Sequence, residues 1–195
     1  MNRSRISYMS ADQLESFLKA AKAYGSREFC MFLFSVSHGA RASEIANLRI
    51  DDINFKAGQV HIQRLKGSLD SVQMMLKVKG NSLFDEAAAF KAWLAIRKTD
   101  ADNFVFNTDQ STRISRIRIY QIFKKIAQSV GLPVNLQHPH TLKHVTAMMM
   151  LQSGSNAFMI RQQLGHKAFE STLSYVRPSD SEASAEAIKA FNKIF

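Results

Sequence analysis

The sequence predicts a mainly α-helical protein with a small antiparallel β-sheet, an α+β fold with one core. Two observations lead to this prediction. Apolar residues recur at helical spacing over most of the 195 residues, whereas residues 52–78 change to the alternation of apolar and polar residues that is typical of strands. Since 46% of the residues are apolar, the chain is long enough to bury a core without disulfides or metals.

Three helices are expected in the N-terminal quarter of the chain. A capping box formed by Ser10 and Gln13 begins the first helix, which is expected over 11–24. The second helix, over 27–37, is apolar on nearly every side, so it is expected at the centre of the core. A short third helix is expected to begin near Ser43.

The remaining elements follow the same two patterns. Strands are expected around Val60 and Ile62 and again over 72–76, joined by a polar hairpin loop that includes Gly67 and Ser68. Further helices are expected over 84–98, 116–130, 141–153, 157–164 and 180–195, with a last turn that carries Leu173 and Tyr175 and ends at Pro178.

The charge of the chain indicates a polyanionic partner, nucleic acid first. Lys and Arg number 26 against 16 Asp and Glu, which gives a formal charge of +10. Residues 113–125 hold five cations and no carboxylate, and we expect these cations to face DNA phosphates: Arg113, Arg116, Arg118, Lys124 and Lys125. A basic surface that is merely well solvated is the alternative interpretation.

Cysteine content and hydropathy indicate the expected cellular location of the protein. The single cysteine, Cys30, lies inside an apolar run, which excludes a disulfide framework. No stretch of about 18 uninterrupted apolar residues occurs. The expected protein is therefore cytoplasmic and has no membrane partner.

Four polar or cationic clusters stand beside strongly apolar flanks. They are residues 38–44, Lys66, residues 140–144, and residues 164–166 together with Tyr175. Breaking or forming a phosphodiester needs a nucleophile, donors that hold the developing negative charge, and an acid for the leaving oxygen. Arginine, histidine, lysine and tyrosine suffice for this chemistry, so neither a metal nor another cofactor is expected.

Each cluster taken singly has a simpler interpretation. Arg41 can pair with the carboxylate three residues later at a helix start. His140 and His144 have a spacing that can bind zinc, but no Glu follows the first histidine and no Cys cluster supplies further ligands. His166 can interact with a helix dipole, and Tyr175 can belong to a core. Only the combination favours catalysis.

The combined pattern resembles the catalytic domain of the tyrosine recombinase, or phage integrase, family. The segment HGARASEIANLRIDDIN, residues 38–54, resembles the family's first arginine box. The segment HPHTLKHVTAMMMLQSGSNAFMIRQQLGHKAFESTLSYVRP, residues 138–178, resembles the second box. Within the family, the phrases HGARASEI and HPHTLKH are most similar to the fimbrial phase-variation invertases.

This resemblance implies a site-specific DNA recombinase that cleaves and rejoins strands through a 3′-phosphotyrosine intermediate. It implies that Tyr175 is the nucleophile and that Arg41 holds a non-bridging oxygen of the scissile phosphate. It also implies that His140 and His166 donate to the phosphate, and that Lys66 protonates the leaving 5′ oxygen.

One position departs from the family pattern, because Lys143 stands where the family has a second arginine. Lysine keeps the charge but loses the planar fork that matches two phosphate oxygens. Three hypotheses follow: a tolerant but slower enzyme, a protein that binds without efficient turnover, or compensation by another cation such as His144. Glu44 is expected to support the site by orienting the first arginine box.

The resemblance also implies a domain organisation. A single catalytic domain is expected over 1–178, without a separate N-terminal core-binding domain. A tail helix over 179–195 is expected either to dock on a neighbouring protomer or to fold back on its own domain, and its apolar stripe consists of Ile188, Phe191, Ile194 and Phe195.

The expected partners are double-stranded DNA, further copies of the chain as a dimer to tetramer in the synapse, and DNA-bending accessory proteins. A bacterial or phage origin and association with the nucleoid are expected. Two alternatives remain open. One is a catalytically weak or silent DNA-binding regulator with the recombinase fold, and the other is a type IB topoisomerase, which shares the chemistry.

Overall fold

The computed structural model describes residues 7–65, 69–99, 103–110, 112–175 and 180–194. Its helices are α1 (Ala11–Tyr24), α2 (Ser26–His38), α3 (Ala42–Asn47), α4 (Glu86–Leu94), α5 (Arg116–Ser129), α6 (His140–Gln152), α7 (Ala157–Leu164), α8 (Glu170–Leu173) and α9 (Asp180–Ile194). Its strands are β1 (Ile53–Asn54), β2 (Gln59–Ile62), β3 (Ser71–Met74), β4 (Lys77–Val78) and β5 (Asn81–Asp85), and short 3₁₀ helices cover Ile50–Asp52 and Val134–Leu136.

Helix α2 forms the centre of the core, as its uniformly apolar sequence predicts. It packs against α1, α4 and α6, and Phe32 and Phe34 are fully buried. The rings of Phe17 on α1 and Phe123 on α5 lie with their centroids 4.6 Å apart, and each is 5.4 Å from Phe32. This aromatic cluster fixes three helices to one another, and the predicted α+β fold class is confirmed.

The sheets are small and antiparallel. Strand β2 pairs with β1 on one side and with β3 on the other, and Val60 and Ile62 turn their side chains into the core. Strands β4 and β5 form a separate hairpin around Gly80, which has φ +79°. This second hairpin was not predicted.

Two predicted boundaries are wrong. Phe84, expected in a helix over 84–98, lies in strand β5, and the helix runs only from Glu86 to Leu94. The Asp85 side chain accepts the Ala88 backbone N–H at 2.9 Å, so this N-cap sets the true helix start. The strand predicted over 72–76 ends at Met74, because the chain turns there to begin the second hairpin.

Two left-handed glycines end the helices that lead to the site. Gly39 follows α2 with φ +58°, and Gly165 follows α7 with φ +64°.

Among the described residues, no helix is both long enough and apolar enough to cross a membrane. The expected loop residues Gly67 and Ser68 and the expected stop at Pro178 lie outside the described residues.

Candidate active site

The first arginine box forms a short helix start that is held by one carboxylate. Glu44 accepts both the Arg41 backbone N–H and the Arg41 guanidinium, each at 2.8 Å. The Glu44 side chain is fully buried, whereas a third of the Arg41 side chain is exposed. Glu44 therefore fixes Arg41 through both its backbone and its guanidinium, while part of the Arg41 side chain stays exposed.

A second arginine, Arg64, binds the same carboxylate from the buried side. Its Nη1 donates to Glu44 at 2.9 Å, and both side chains are fully buried. Burial alone would raise the pKa of Glu44, but the charges of Arg64 and Arg41 and the backbone hydrogen bond outweigh it and lower this pKa. Glu44 is thus an ionised carboxylate between two guanidinium groups.

His140 and Arg41 lie on the wall of one open cavity of about 620 Å³. Arg116 and His138 line the same cavity. Although the His140 side chain is exposed there, partial desolvation and the neighbouring charges, including that of Lys143, lower the pKa of its imidazole to about 4. His140 is therefore a neutral donor beside a strongly cationic surface.

Lys143 points into the protein rather than into the cavity. Its side chain is 1% exposed, and its Nζ donates to the carbonyl oxygens of Gly39 at 2.9 Å and Leu164 at 2.7 Å. Burial, followed by the charges of Arg64 and Arg41, lowers the pKa of Lys143 to about 7. The ammonium thus joins the ends of α2 and α7.

His166 follows the left-handed glycine at the end of α7 and is buried. Its Nδ1 lies 3.0 Å from the Thr172 hydroxyl on α8. Desolvation lowers the pKa of His166 to about 4, and the charges of Lys143, Arg41, Arg64 and His140 act in the same direction. Arg41 and the two histidines His140 and His166 therefore lie within electrostatic reach of one another.

Tyr175 lies in the turn after α8 and meets α6. Its hydroxyl lies 2.7 Å from Nδ1 of His144. Desolvation raises the pKa of the phenol to about 12, although the nearby Arg41 charge opposes this increase. Desolvation and the charges of His138 and Lys143 lower the pKa of His144. The phenol is thus protonated and the imidazole neutral near pH 7.

The predicted site residues are not all gathered at one place. Arg41, His140, Lys143, His166 and Tyr175 form one electrostatic cluster. Lys66 lies outside the described residues. The described residues on either side of it are Leu65, which lines the cavity, and Leu69, whose backbone N–H donates to the Gly165 carbonyl at 3.3 Å.

The five cations of residues 113–125 are all exposed, but they occupy different places. Of them, Arg116 lines the cavity. Arg113 binds Asn47 and lies over the Phe104 ring, while Lys125 lies over the ring of Tyr24. Arg118 and Lys124 are on α5.

Two features of the site were not predicted from the sequence. Arg64 was not singled out, although it continues the inward alternation of Val60 and Ile62 and so occupied a position that faces the core. The contact between His144 and Tyr175 joins residues 31 positions apart, and no sequence pattern indicates it. Within the described ranges, no group of three or more His, Cys, Asp or Glu side chains is arranged to hold a metal ion.

Comparison with known proteins identifies several relatives of this chain. The family model described as "Phage integrase family" matches residues 7–182. The type 1 fimbriae regulatory protein FimB of Escherichia coli K12 is 32% identical over 179 residues, which are 89% of this chain and 85% of FimB. A tyrosine recombinase of Pseudothermotoga lettingae is 26% identical over 80% of this chain and 51% of its own length.

Solved structures share the fold. The crystal structure of the XerA recombinase superposes with a TM-score of 0.76 at 21% identity and covers 96% of this chain and 66% of XerA. The XerH site-specific recombinase, solved bound to its difH substrate before cleavage, gives a TM-score of 0.78 at 17% identity over 96% of this chain and 55% of XerH. This chain belongs to the phage integrase, or tyrosine recombinase, family.

Proposed function

We propose that this protein is a site-specific recombinase that cleaves and rejoins double-stranded DNA, with Tyr175 forming a 3′-phosphotyrosine intermediate. One observation carries the proposal. Arg41 and His140 line one cavity. The His140 ring meets the His144 ring with centroids 4.6 Å apart, and Nδ1 of His144 lies 2.7 Å from the Tyr175 hydroxyl, so the candidate nucleophile lies in the same region as the candidate phosphate-binding groups. In-line attack on phosphorus needs this combination of nucleophile and donors.

The groups divide between holding charge and moving protons. The exposed part of Arg41 would bind a non-bridging oxygen, in an orientation fixed by Glu44. His140 and His166 would donate to the phosphate as neutral imidazoles, and the phosphate charge would raise the pKa of both. Lys66 would protonate the leaving 5′ oxygen. A phosphotyrosine keeps the energy of the broken bond, so strand rejoining needs no ATP.

Lys143 is the position on which efficiency depends. Two of its three N–H groups are directed to the carbonyls of Gly39 and Leu164, which leaves at most one for a phosphate oxygen. An arginine there would offer up to five donors. We therefore propose a slower enzyme than relatives with the arginine. His144 is neutral near pH 7, which argues against compensation by its charge.

The DNA partner is proposed from charge. The formal charge is +10, and Arg116 beside the cavity extends the cationic surface away from Arg41. Binding dominated by phosphate contacts should weaken steeply with salt. The solved structure of XerH holds that protein on its difH substrate, and we propose a comparable DNA-bound state here.

We further propose one catalytic domain over 1–178 and a tail that docks on a neighbouring protomer in an assembly on DNA. Helix α9 carries Ile188 and Phe191, both more than 60% exposed. These two side chains are three residues apart and therefore lie on one face of the helix, and a contiguous exposed apolar patch is what marks a surface that a partner covers. The side chain of Ile194, and Phe195 as a whole, lie outside the described residues.

The test is recovery of a covalent protein–DNA adduct. A nicked duplex that carries the recognition site traps the intermediate, because the short fragment after the cut diffuses away. The native protein should form the adduct and Tyr175→Phe should not, while both bind the duplex equally. The same assay on Lys143→Arg should show faster cleavage, and an unchanged rate would mean that Lys143 does not limit the chemistry. Binding without any adduct would instead favour a DNA-binding regulator.

A further inference from the structure

The hydroxyl of Tyr175 contacts the imidazole of His144 on helix α6. Nδ1 of His144 lies 2.7 Å from the phenol oxygen, and the two ring centroids are 5.7 Å apart. The backbone N–H of Tyr175 donates to the Thr172 carbonyl at 3.0 Å, which holds the turn after α8. The phenol is therefore held beside a nitrogen that can accept its proton.

The proton in this hydrogen bond lies on the phenol oxygen. A phenol O–H is a stronger donor than a neutral imidazole N–H, and an unprotonated imidazole nitrogen is a stronger acceptor than a phenol oxygen. Since the imidazole of His144 is neutral and the phenol of Tyr175 is protonated near pH 7, the O–H donates to Nδ1. The imidazole hydrogen is then carried on Nε2.

We infer that His144 is the proton acceptor for Tyr175 during strand cleavage. This inference rests on the proposed recombinase function. In the step, the phenol oxygen forms a bond to phosphorus while its proton passes to Nδ1 of His144. The bond from phosphorus to the 5′ oxygen breaks, and the leaving oxygen takes a proton from a separate acid, for which Lys66 is proposed. Rejoining reverses each transfer.

The other two histidines of the cluster have different partners. Nδ1 of His166 faces the Thr172 hydroxyl at 3.0 Å. His140 lines the cavity and meets the His144 ring edge-on, with centroids 4.6 Å apart. In the part of the chain that the structure describes, only His144 among these three is within hydrogen-bond distance of the Tyr175 hydroxyl. Proton acceptance is therefore assigned by contact.

The surroundings of His144 make it a weak base until DNA arrives. His138, Lys143 and His140 face it from α6 and the residues just before that helix, and Arg41 acts on Tyr175. Desolvation and the charges of His138 and Lys143 lower the pKa of His144, which disfavours an imidazolium. A bound phosphodiester adds negative charge to the same cluster, so the basicity of His144 should increase when the substrate is in place.

The test compares His144→Asn with the native protein in single-turnover cleavage of the nicked duplex. The Asn oxygen can replace Nδ1 as a hydrogen-bond acceptor, but it does not take up a proton. Loss of a general base slows a reaction by roughly 100 to 10,000 fold. We expect a decrease in this range, with DNA binding retained. His61→Asn on strand β2 is the control, because His61 pairs with Asp52 outside the cavity.

A second substrate separates the base from the acid. In a duplex with sulfur in place of the bridging 5′ oxygen, the leaving group needs no proton. Lys66→Ala should cleave this duplex at nearly the native rate, whereas His144→Asn should remain slow. The acid limb of the native pH–rate profile, where His144 becomes protonated, should be absent in His144→Asn. A merely structural role would also leave cleavage of the sulfur substrate slow, but it would leave the acid limb of the pH–rate profile in place, so the acid limb distinguishes the two roles.

Clear outcomes overturn the inference. Cleavage by His144→Asn within about threefold of the native rate would do so, and so would its recovery on the sulfur substrate, since a lost base should cost about 100 fold or more. If His144→Asn is unstable, His144→Ala with added imidazole serves instead, and absence of rescue counts against the proposal. An adduct that forms in the native protein and is lost in Tyr175→Phe shows that the recombinase function stands even if the role of His144 fails.

Discussion

The buried ammonium of Lys143 should make this protein more stable as the pH rises above 7. Nζ donates to the carbonyls of Gly39 and Leu164, and the side chain is 1% exposed. Burial and two neighbouring guanidinium groups lower the pKa of Lys143 from 10.5 to about 7. In the unfolded chain the same amine keeps an ordinary pKa, close to about 10.4.

The sign of the effect follows from where the proton is bound. Between about pH 7 and pH 10.5, the folded protein releases the Lys143 proton while the unfolded chain retains it. The unfolded state then binds more protons, so the free energy of unfolding rises with pH across this window. Below pH 7 the cost of burying the charged form is present in full. From about pH 7 to about pH 8.5, the expected gain is about 1.5 kcal/mol.

Urea denaturation followed by circular dichroism measures this gain directly. The comparison is between the native protein and Lys143→Met, which has an unbranched side chain and no titrating group. The pKa values of His140 and His166 are lowered to about 4, whereas those of Cys30 and Tyr175 are raised. Both proteins retain these four groups, so the difference between the two pH slopes isolates Lys143.

The native protein should gain about 1.5 kcal/mol more than Lys143→Met over this range. Parallel pH dependences would refute the reasoning, because they would show that the folded protein keeps Lys143 charged throughout. A difference in absolute stability at one pH does not decide the matter, since the variant also leaves two carbonyl oxygens without a donor.

Two further substitutions test the packing of the site. Glu44→Gln should lower the free energy of unfolding in denaturant by about 3–5 kcal/mol, because it leaves the buried Arg64 guanidinium without its counter-charge. Glu15→Gln is the control: it removes an exposed ion pair and should change stability by about 0.5 kcal/mol at most. A loss below about 1 kcal/mol in Glu44→Gln would contradict the buried-pair argument. Gly39→Ala and Gly131→Ala both place a side chain at positive φ, which costs about 1–2 kcal/mol. Of the two, only Gly39→Ala places the added carbon where it overlaps the Leu164 side chain, so it should be clearly the less stable variant in thermal unfolding. Equal losses in the two variants would count against that overlap.

Much of the helical architecture could be predicted from local patterns. Helix α1 runs over Ala11–Tyr24 as expected, because the capping box of Ser10 and Gln13 fixes its start and Gly25 follows its end. The second hairpin was missed. Its strands are short and largely exposed, so apolar alternation is weak there, and Gly80 was the only strong turn signal.

The candidate site could be predicted in composition but not in geometry. Motif order indicated Arg41, His140 and Tyr175 as candidates; Arg41 and His140 line one cavity, and Arg41 lies close enough to Tyr175 to affect its pKa. The inward direction of the Lys143 ammonium depends on how α2 meets α7, which is a tertiary contact. The partner of the Tyr175 hydroxyl depends in the same way on how α8 packs near α6, and local spacing carries no information about either arrangement.

The C-terminal carbonyl groups of two helices account for the two buried cations, Arg64 and Lys143, beside the site. Helices α2 and α7 both end close to the site, and the last carbonyls of a helix lack partners and carry partial negative charge. Arg64 donates to the carbonyls of His38 and Gln163, and Lys143 donates to the carbonyls just after these two. Two cations thus hold both helix ends together.

This arrangement links the two motif boxes through their backbones. Arg41 follows the end of α2 by three residues, and His166 follows the end of α7 by two residues. The distance between Arg41 and His166 is therefore set by the same carbonyls that Lys143 and Arg64 hold. A substitution that removes the Lys143 amine should change two properties together: the positive charge near Arg41 and His166, and the separation of these two residues. The effect of such a substitution on the cleavage rate should therefore exceed what the loss of one donor predicts. The pH dependence of stability measures the contribution of Lys143 to folding separately from its contribution to cleavage.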